Sequence, residues 1–276
     1  AAFVVSASIW LFILLRVLQG VAFSAFFVAN YTLIVALAPP ERRGWALGLF
    51  GISGLLPTAL APLAGEWVIR WLGYQALFLD ATLLAAVALV MTLGIRGPRS
   101  TTVAAEQRRQ RMFPELREVL HLHMAVAFVF GIGTGTLFTF LPTFAGKLGV
   151  TNLSLFYTGY AGSAMLVRAA AGGLIDSLGR RAVIIPSTFT QMVASGILTV
   201  VALLADTLSA TPALLSLLLA GILSGGAHGF LFPALTALVT DLAPESRRGQ
   251  AVAVFSSVTL IGSALGAMTF GYVAHR

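Results

Sequence analysis

The segment Gly172-Gly173-Leu174-Ile175-Asp176-Ser177-Leu178-Gly179-Arg180-Arg181 places three glycines, one acid and two arginines between two long apolar stretches. Glycine adopts backbone conformations that other residues avoid, so Gly179 predicts a tight turn. Arginine is enriched in the cytoplasmic loops of membrane proteins, and Arg180 with Arg181 therefore marks the cytoplasmic face. The segment is predicted to be a short charged loop between two membrane-spanning helices.

The composition of the whole chain also indicates a membrane protein. Of its 276 residues, 58% are hydrophobic and 10% are charged, whereas soluble domains carry about 25% charged residues. Apolar runs of about 20 residues recur, as in transmembrane helices, while barrel strands would alternate in segments of roughly ten residues. We therefore predict an all-α polytopic membrane protein, with the lipid bilayer as its surroundings.

About eight transmembrane helices are expected, in two helical bundles joined by a polar linker. Residues 1–95 are assigned to the end of an N-terminal bundle, residues 96–120 to a cytoplasmic linker, and residues 121–276 to a C-terminal bundle that lacks its last helix. The predicted spans are residues 10–37, 45–69, 75–95, 121–144, 154–175, 182–205, 211–241 and 250–273.

Loop charges predict which side of the membrane each loop occupies. One set of alternate loops holds twelve arginines, and the other set holds three basic residues, Arg70, Lys147 and Arg276. This asymmetry places the arginine-rich loops in the cytoplasm. Membrane orientation therefore accounts for the net charge of +7, and nucleic acid is not expected as a partner.

An internal repeat relates the two bundles. A shift of 205 residues lays residues 38–44, APPERRG, on residues 243–249, APESRRG, without a gap. A parallel repeat of this kind is the arrangement of transporters that are built from two six-helix halves. The two bundles are therefore predicted to be pseudo-symmetric, with the N-terminal one incomplete.

These motifs resemble the major facilitator superfamily. Residues 172–181 are similar to the loop motif that follows the second helix of each half in that family, and residues 16–20, RVLQG, are similar to its fourth-helix motif. The fifth-helix motif of antiporters is degraded, since Pro57 stands where glycine is usual. The resemblance covers the chain and implies helices four to eleven of the twelve-helix drug and sugar efflux branch, so a fragment without helices one to three and twelve is expected.

The resemblance implies a secondary active transporter of a small molecule that works by alternating access, with protons as the coupling ion for efflux. Sugar or organic-acid uptake by symport or uniport is an alternative, as is a non-transporting membrane sensor on the same fold. The chain has no cysteine and no HExxH, phosphate-loop or Ser-His-Asp pattern, so no enzyme, catalytic residue, cofactor or metal is expected. We expect a monomer in a bacterial inner (plasma) membrane, and leave the substrate and its direction open.

A conformational latch is the first predicted site. Its residues are Gly172, Asp176, Gly179, Arg180, Arg181 and Asp241. The Asp176 carboxylate would cap a neighbouring helix end or pair with an arginine in one access state and lose that contact in the other. A solvated loop is the alternative reading, and Asp241 is either the acidic partner or a charge that ends its helix.

A proton or substrate pathway is the second predicted site. Its residues are Arg16, Gln19, Asn30, Asp80, Arg168 and His228. A cation at membrane depth costs at least about 2.5 kcal/mol, so Arg16 and Arg168 either have a role or reach an interface. His228 lies among glycines and titrates near neutral pH, although a neutral histidine bonded to a backbone carbonyl is the alternative. Further polar and aromatic residues that line a cavity or merely pack are Tyr31, Thr134, Phe138, Tyr157, Tyr160 and Gln191.

Overall fold

The computed structural model describes residues 9–37, 39, 43–94, 114–242 and 248–275, and these residues form seven α-helices without a strand. The helices are α1 Ile9–Leu37, α2 Arg43–Leu93, α3 Pro114–Lys147, α4 Ser154–Leu178, α5 Arg180–Leu203, α6 Ala210–Leu242 and α7 Arg248–His275. The predicted all-helical class is confirmed.

Helix α2 contains the break that the sequence predicts between its second and third spans. Gly73 leaves the helical conformation with φ 79° and ψ 177°, a backbone region open to glycine because it lacks a Cβ atom. The apolar stretch Leu49–Leu93 is 45 residues long, and an unbroken helix of that length would extend about 68 Å. The hydrocarbon core of a bilayer is about 30 Å thick, so the two segments of α2 are each long enough for one crossing.

Five of the described helices contain stretches with the length and hydropathy of membrane spans. Besides Leu49–Leu93, the apolar stretches long enough to cross a bilayer are Met124–Lys147, Arg181–Leu203, Ala210–Val239 and Ala251–Val273. Large apolar side chains face outward, as Trp10 is 77% exposed and Leu203 81% exposed. Such exposure would be unfavourable in water and is expected in lipid. The chain is therefore a multi-pass integral membrane protein.

The chain divides into two compact units, residues 1–104 and residues 105–276. In the first unit α1 contacts α2. In the second unit the extensive contacts join α3 to α7, α4 to α6, and α5 to α6. Helix α6 therefore lies at the centre of the second unit, which is where the candidate site residue His228 is found.

Glycines bring α3 and α7 into backbone contact. A Cβ atom added to Gly131 or Gly135 would overlap the carbonyl oxygen of Thr259 or Ser263, and one added to Gly266 would lie 2.6 Å from the carbonyl oxygen of Ile132. Small residues four apart allow such close approach in membranes, where van der Waals packing drives helix association. The glycine-rich segment of α3 thus serves helix packing.

Candidate functional site

The loop at residues 178–181 is a single-residue connection between α4 and α5. Helix α4 ends at Leu178, Gly179 has φ 85° and ψ 153°, and α5 begins at Arg180. Arg181 is exposed and lines an open depression of about 630 Å³ together with Leu178, Gly179 and the first two turns of α5. The side chains of Asp176 and Arg180 lie outside the described part of the structure, as does the environment of Gly172. The latch therefore remains a prediction.

Arg16 and Gln19 of the fourth-helix motif are brought together on α1. Arg16 Nη1 donates a hydrogen bond to Gln19 Oε1 over 3.3 Å, and its guanidinium carbon lies 5.1 Å from the ring centroid of Phe12. Both polar side chains are exposed in the first unit. The pairing holds a cation and an amide in one orientation on the helix surface.

The other acidic and amide candidates lie apart from that pair along the chain. Asn30 Nδ2 donates to the carbonyl oxygen of Phe26 over 2.8 Å, within α1. Asp80 is exposed on the segment of α2 beyond Gly73, and Asp241 is exposed in the last turn of α6.

His228 occupies the centre of an aromatic cluster in the second unit. The members of this aromatic cluster are Phe130, Phe138, Tyr157, Tyr160, His228 and Phe232. The imidazole of His228 stacks on Phe130 with ring centroids 5.3 Å apart and on Phe232 with centroids 5.8 Å apart. Its Nδ1 atom is buried and makes no hydrogen bond to the described residues. The described residues thus offer Nδ1 no backbone carbonyl, and the role of His228 stays a prediction.

The aromatic cluster extends from His228 through Tyr160 to side chains that are only half-buried. The ring centroid of Tyr160 lies 5.7 Å from that of His228 and 5.0 Å from that of Phe138, which it meets edge-on. Phe138 also stacks on Tyr157, with centroids 5.9 Å apart. Tyr160 is buried, whereas His228, Phe138 and Tyr157 are all half-buried. The cluster thus keeps some accessible surface on both sides of Tyr160.

Glycines on α6 set the distance between Tyr160 and His228. A Cβ atom added to Gly225 would overlap the carbonyl oxygen of Tyr160, and one added to Gly229 would lie 2.9 Å from the carbonyl oxygen of Ala164. Arg168 lies two turns beyond Tyr160 on α4 and is half-buried. Arg168 follows Val167, which packs against Gly229 of α6, and whether Arg168 has a transport role or anchors at the cytoplasmic interface stays a prediction.

A groove of about 440 Å³ lies between α3, α5 and α6. Its lining is mostly apolar and includes Phe130, Thr134, Thr188, Gln191 and Ser195. Thr134 and Gln191 were predicted to line a cavity, and the groove brings them together within the second unit. Phe138, Tyr157 and Tyr160 instead join the aromatic cluster, and the side chain of Tyr31 lies outside the described residues.

An interhelical hydrogen bond orients the amide at this groove. Buried Ser224 Oγ donates to Gln191 Oε1 over 2.9 Å and so links α6 to α5. Interhelical hydrogen bonds between side chains in membranes contribute about 0.6 kcal/mol on average and at most about 1.7 kcal/mol. The bond therefore orients the Gln191 amide more than it stabilises the fold.

We expect Gln191→Leu and Ser224→Ala to be non-additive in their effects on stability. Their coupling energy should be about 0.6 kcal/mol, because the bond exists only when both side chains are present. Thermal unfolding of both single variants, the double variant and the full-length parent measures this energy. Thr199→Ala, an exposed substitution on α5 that bonds only its own helix, is the control, and full additivity would contradict the assignment.

Two members of the aromatic cluster escaped prediction from the sequence. Phe130 and Phe232 stack on His228. In the sequence, however, neither residue differs from the other apolar residues of its predicted span. The spacing of Phe232 four residues after His228 was an available signal, since such residues share one helix face. No local signal marks Phe130, because it reaches His228 from a different helix.

Glycine-packed apolar helices, joined at Gly179 by a one-residue turn and carrying polar side chains along their length, define a polytopic helical membrane protein. The family model of the Major Facilitator Superfamily matches residues 1–267. The chain belongs to the Major Facilitator Superfamily. The predicted resemblance is thereby confirmed, and family and relatives agree with the expectation of a transporter rather than an enzyme.

The chain is similar to two named groups of bacterial proteins. It is 26% identical over 272 residues to the multidrug resistance protein MdtG of Citrobacter koseri, an alignment that covers 94% of this chain and 64% of that protein. It is 26% identical over 276 residues to the multi-drug resistance efflux pump PmrA of Streptococcus pneumoniae, with 96% and 66% covered. The chain thus spans about two thirds of the length of these relatives, and they agree with a bacterial inner membrane as its location.

Proposed function

We propose that the full-length protein is a monomeric secondary transporter that exports small amphipathic compounds by alternating access, coupled to proton entry. The observation that carries this proposal is membership in the Major Facilitator Superfamily over residues 1–267. The relatives support the direction, because they are named as a multidrug resistance protein and an efflux pump. Alternating access would expose one site to each side of the membrane in turn.

The latch is proposed to act at the cytoplasmic face. Its residues are Gly172, Asp176, Gly179, Arg180, Arg181 and Asp241. The left-handed turn at Gly179 allows α5 to begin directly after α4, and exposed Arg181 then lies next to the turn. Asp176 would pair with a basic group or a helix end in one access state and release it in the other. Asp241, exposed at the end of α6, is the proposed second acid of this face.

The proton and substrate pathway is proposed to use Arg16, Gln19, Asn30, Asp80, Arg168 and His228. Support comes from the hydrogen bond between Arg16 and Gln19 in the first unit and from the enclosed Nδ1 atom of His228 in the second. Asp80 is proposed for this pathway because it is an exposed carboxylate within an apolar helix. An ionisable residue in a membrane span is by default a candidate for function, since its cost must be offset.

Flux in inside-out vesicles tests the proposal. With the full-length protein and an acidified lumen, protons leave the lumen while substrate enters it, so ethidium or naphthalene-2-carboxylate should accumulate inside. A protonophore should abolish accumulation, and protein-free vesicles should show only passive uptake. Flux that does not depend on the proton gradient would exclude proton coupling, and substrate loss from the lumen under the same gradient would instead favour symport.

A further inference from the structure

His228 Nδ1 is the polar atom of the second unit whose environment most needs an explanation. It is buried without a hydrogen bond to the described residues, and native proteins keep few such atoms because desolvation without a partner costs free energy. The neighbouring rings of Phe130 and Phe232 offer no conventional acceptor or donor. A group supplied by a ligand would satisfy this atom.

The charges around His228 favour a ligand group with negative or partly negative character. Arg168 lies two turns beyond Tyr160 on α4, is half-buried and carries a positive charge. Among the described side chains of the second unit, the carboxylates are Asp206 and Asp241, and both are exposed outside the aromatic cluster. The described parts of α3, α5 and α7 add no charged group to the cluster. An N–H group of His228 would therefore donate to an oxygen that the Arg168 charge also attracts.

The half-buried rings of Phe138 and Tyr157 favour a planar partner. Phe138 and Tyr157 are half-buried and stack with centroids 5.9 Å apart, within the range of about 4.5–7 Å that aromatic pairs prefer. A further ring would extend this stack through the apolar faces of the two rings. A ring and an oxygen on one ligand would thus meet two neighbouring parts of the same cluster.

We propose that the aromatic cluster binds an aromatic compound that carries a carboxylate or carbonyl oxygen, with the ring against Phe138 and Tyr157 and the oxygen at His228 Nδ1. This inference rests on the proposed transport function and names the chemical class of its substrate. Compounds whose ring carries a cationic ammonium group bind less tightly, because the charge of Arg168 repels them.

Binding of three matched probes to the full-length purified protein tests the inference. The probes are naphthalene-2-carboxylate, naphthalene-2-carboxamide and naphthalen-2-ylmethylammonium, which share a ring and differ in the polar group. Equilibrium dialysis should rank their affinities in that order, with about tenfold between the first and the last. This comparison needs no variant, so it decides the charge preference even if substitutions disturb folding.

His228→Phe separates the hydrogen bond from the stacking. This variant keeps a ring beside Phe130 and Phe232, and it should weaken naphthalene-2-carboxylate about tenfold while changing the ammonium compound less than about twofold. His228→Leu should give the same selective loss, which would show that the larger side chain of phenylalanine is not its cause. The control Thr199→Ala on α5 should bind all three probes with the affinity of the parent. A purely structural role for His228 would lower thermal stability and all three affinities together.

The inference is wrong if the parent protein prefers the ammonium compound, or if folded His228→Phe and His228→Leu both bind the carboxylate within about twofold of the parent. These binding measurements do not test transport, which the flux experiment measures separately. Proton-driven ethidium accumulation with no selectivity among the naphthalene probes would reject this binding site alone. Selective binding without any flux would instead reject the proposed transport function.

Discussion

Replacing Gly225 by alanine should destabilise the second unit by about 1–3 kcal/mol, the usual cost of overpacking. The new Cβ atom would overlap the carbonyl oxygen of Tyr160 and approach Ser163 Oγ. Backbone atoms cannot turn aside as the end of a flexible side chain can, so α4 and α6 must separate. Thermal unfolding of the full-length protein, followed by loss of the monodisperse detergent-solubilised form, measures the change.

Gly226→Ala is the matched control for this substitution. A Cβ atom at Gly226 meets nothing within 4 Å, although the residue is adjacent in the same helix, and alanine is a better helix former than glycine. Its stability should remain within about 0.5 kcal/mol of the parent or rise. Equal melting temperatures for Gly225→Ala and Gly226→Ala would show that the close contact between α4 and α6 does not form.

The separation of α4 from α6 should also impair binding. Tyr160 lies on α4 and His228 on α6, so Gly225→Ala changes the spacing of two rings whose centroids are 5.7 Å apart. Ligand affinity should therefore fall together with stability in this variant. That pattern differs from His228→Phe, for which loss of affinity without loss of stability is expected.

Replacing Asp176 by asparagine should reduce proton-driven flux at least about tenfold, or about 1.4 kcal/mol in the free energy of the conformational step. Asparagine keeps the size of the side chain but removes the charge on which a latch would depend. The substitution should reduce flux without reducing membrane insertion, because it adds no charge to the arginine-rich loop. Initial rates in inside-out vesicles, normalised to the protein in the membrane fraction, measure it.

Ser177→Ala and Asp176→Glu provide the controls for the latch. The first changes a neighbouring residue of the same helix end without altering charge, and it should transport at the parental rate. The second restores the carboxylate and should recover part of the flux. Parental flux in Asp176→Asn would reject the latch and leave residues 172–181 as a solvated loop.

The sequence by itself determined the class, the family and the sites of most helix ends. In a bilayer every backbone polar group must be satisfied within the helix itself, so spans appear as local apolar runs that can be counted. Predicted and observed ends agree closely for α6, since the predicted span is residues 211–241 and the observed helix is Ala210–Leu242. The break between the predicted spans 45–69 and 75–95 falls at Gly73. It can be predicted locally, because a positive φ angle requires a particular residue type at one position.

Tertiary structure alone decided which side chains meet. His228 stacks on Phe130, almost a hundred positions earlier in the chain, and Ser224 bonds Gln191 on another helix. Neither contact leaves a local pattern, since both depend on how closely α3, α4, α5 and α6 approach. Backbone contacts at glycines such as Gly225 set that approach, and in lipid it is packing shape, rather than hydrophobicity, that distinguishes one face of a helix from another.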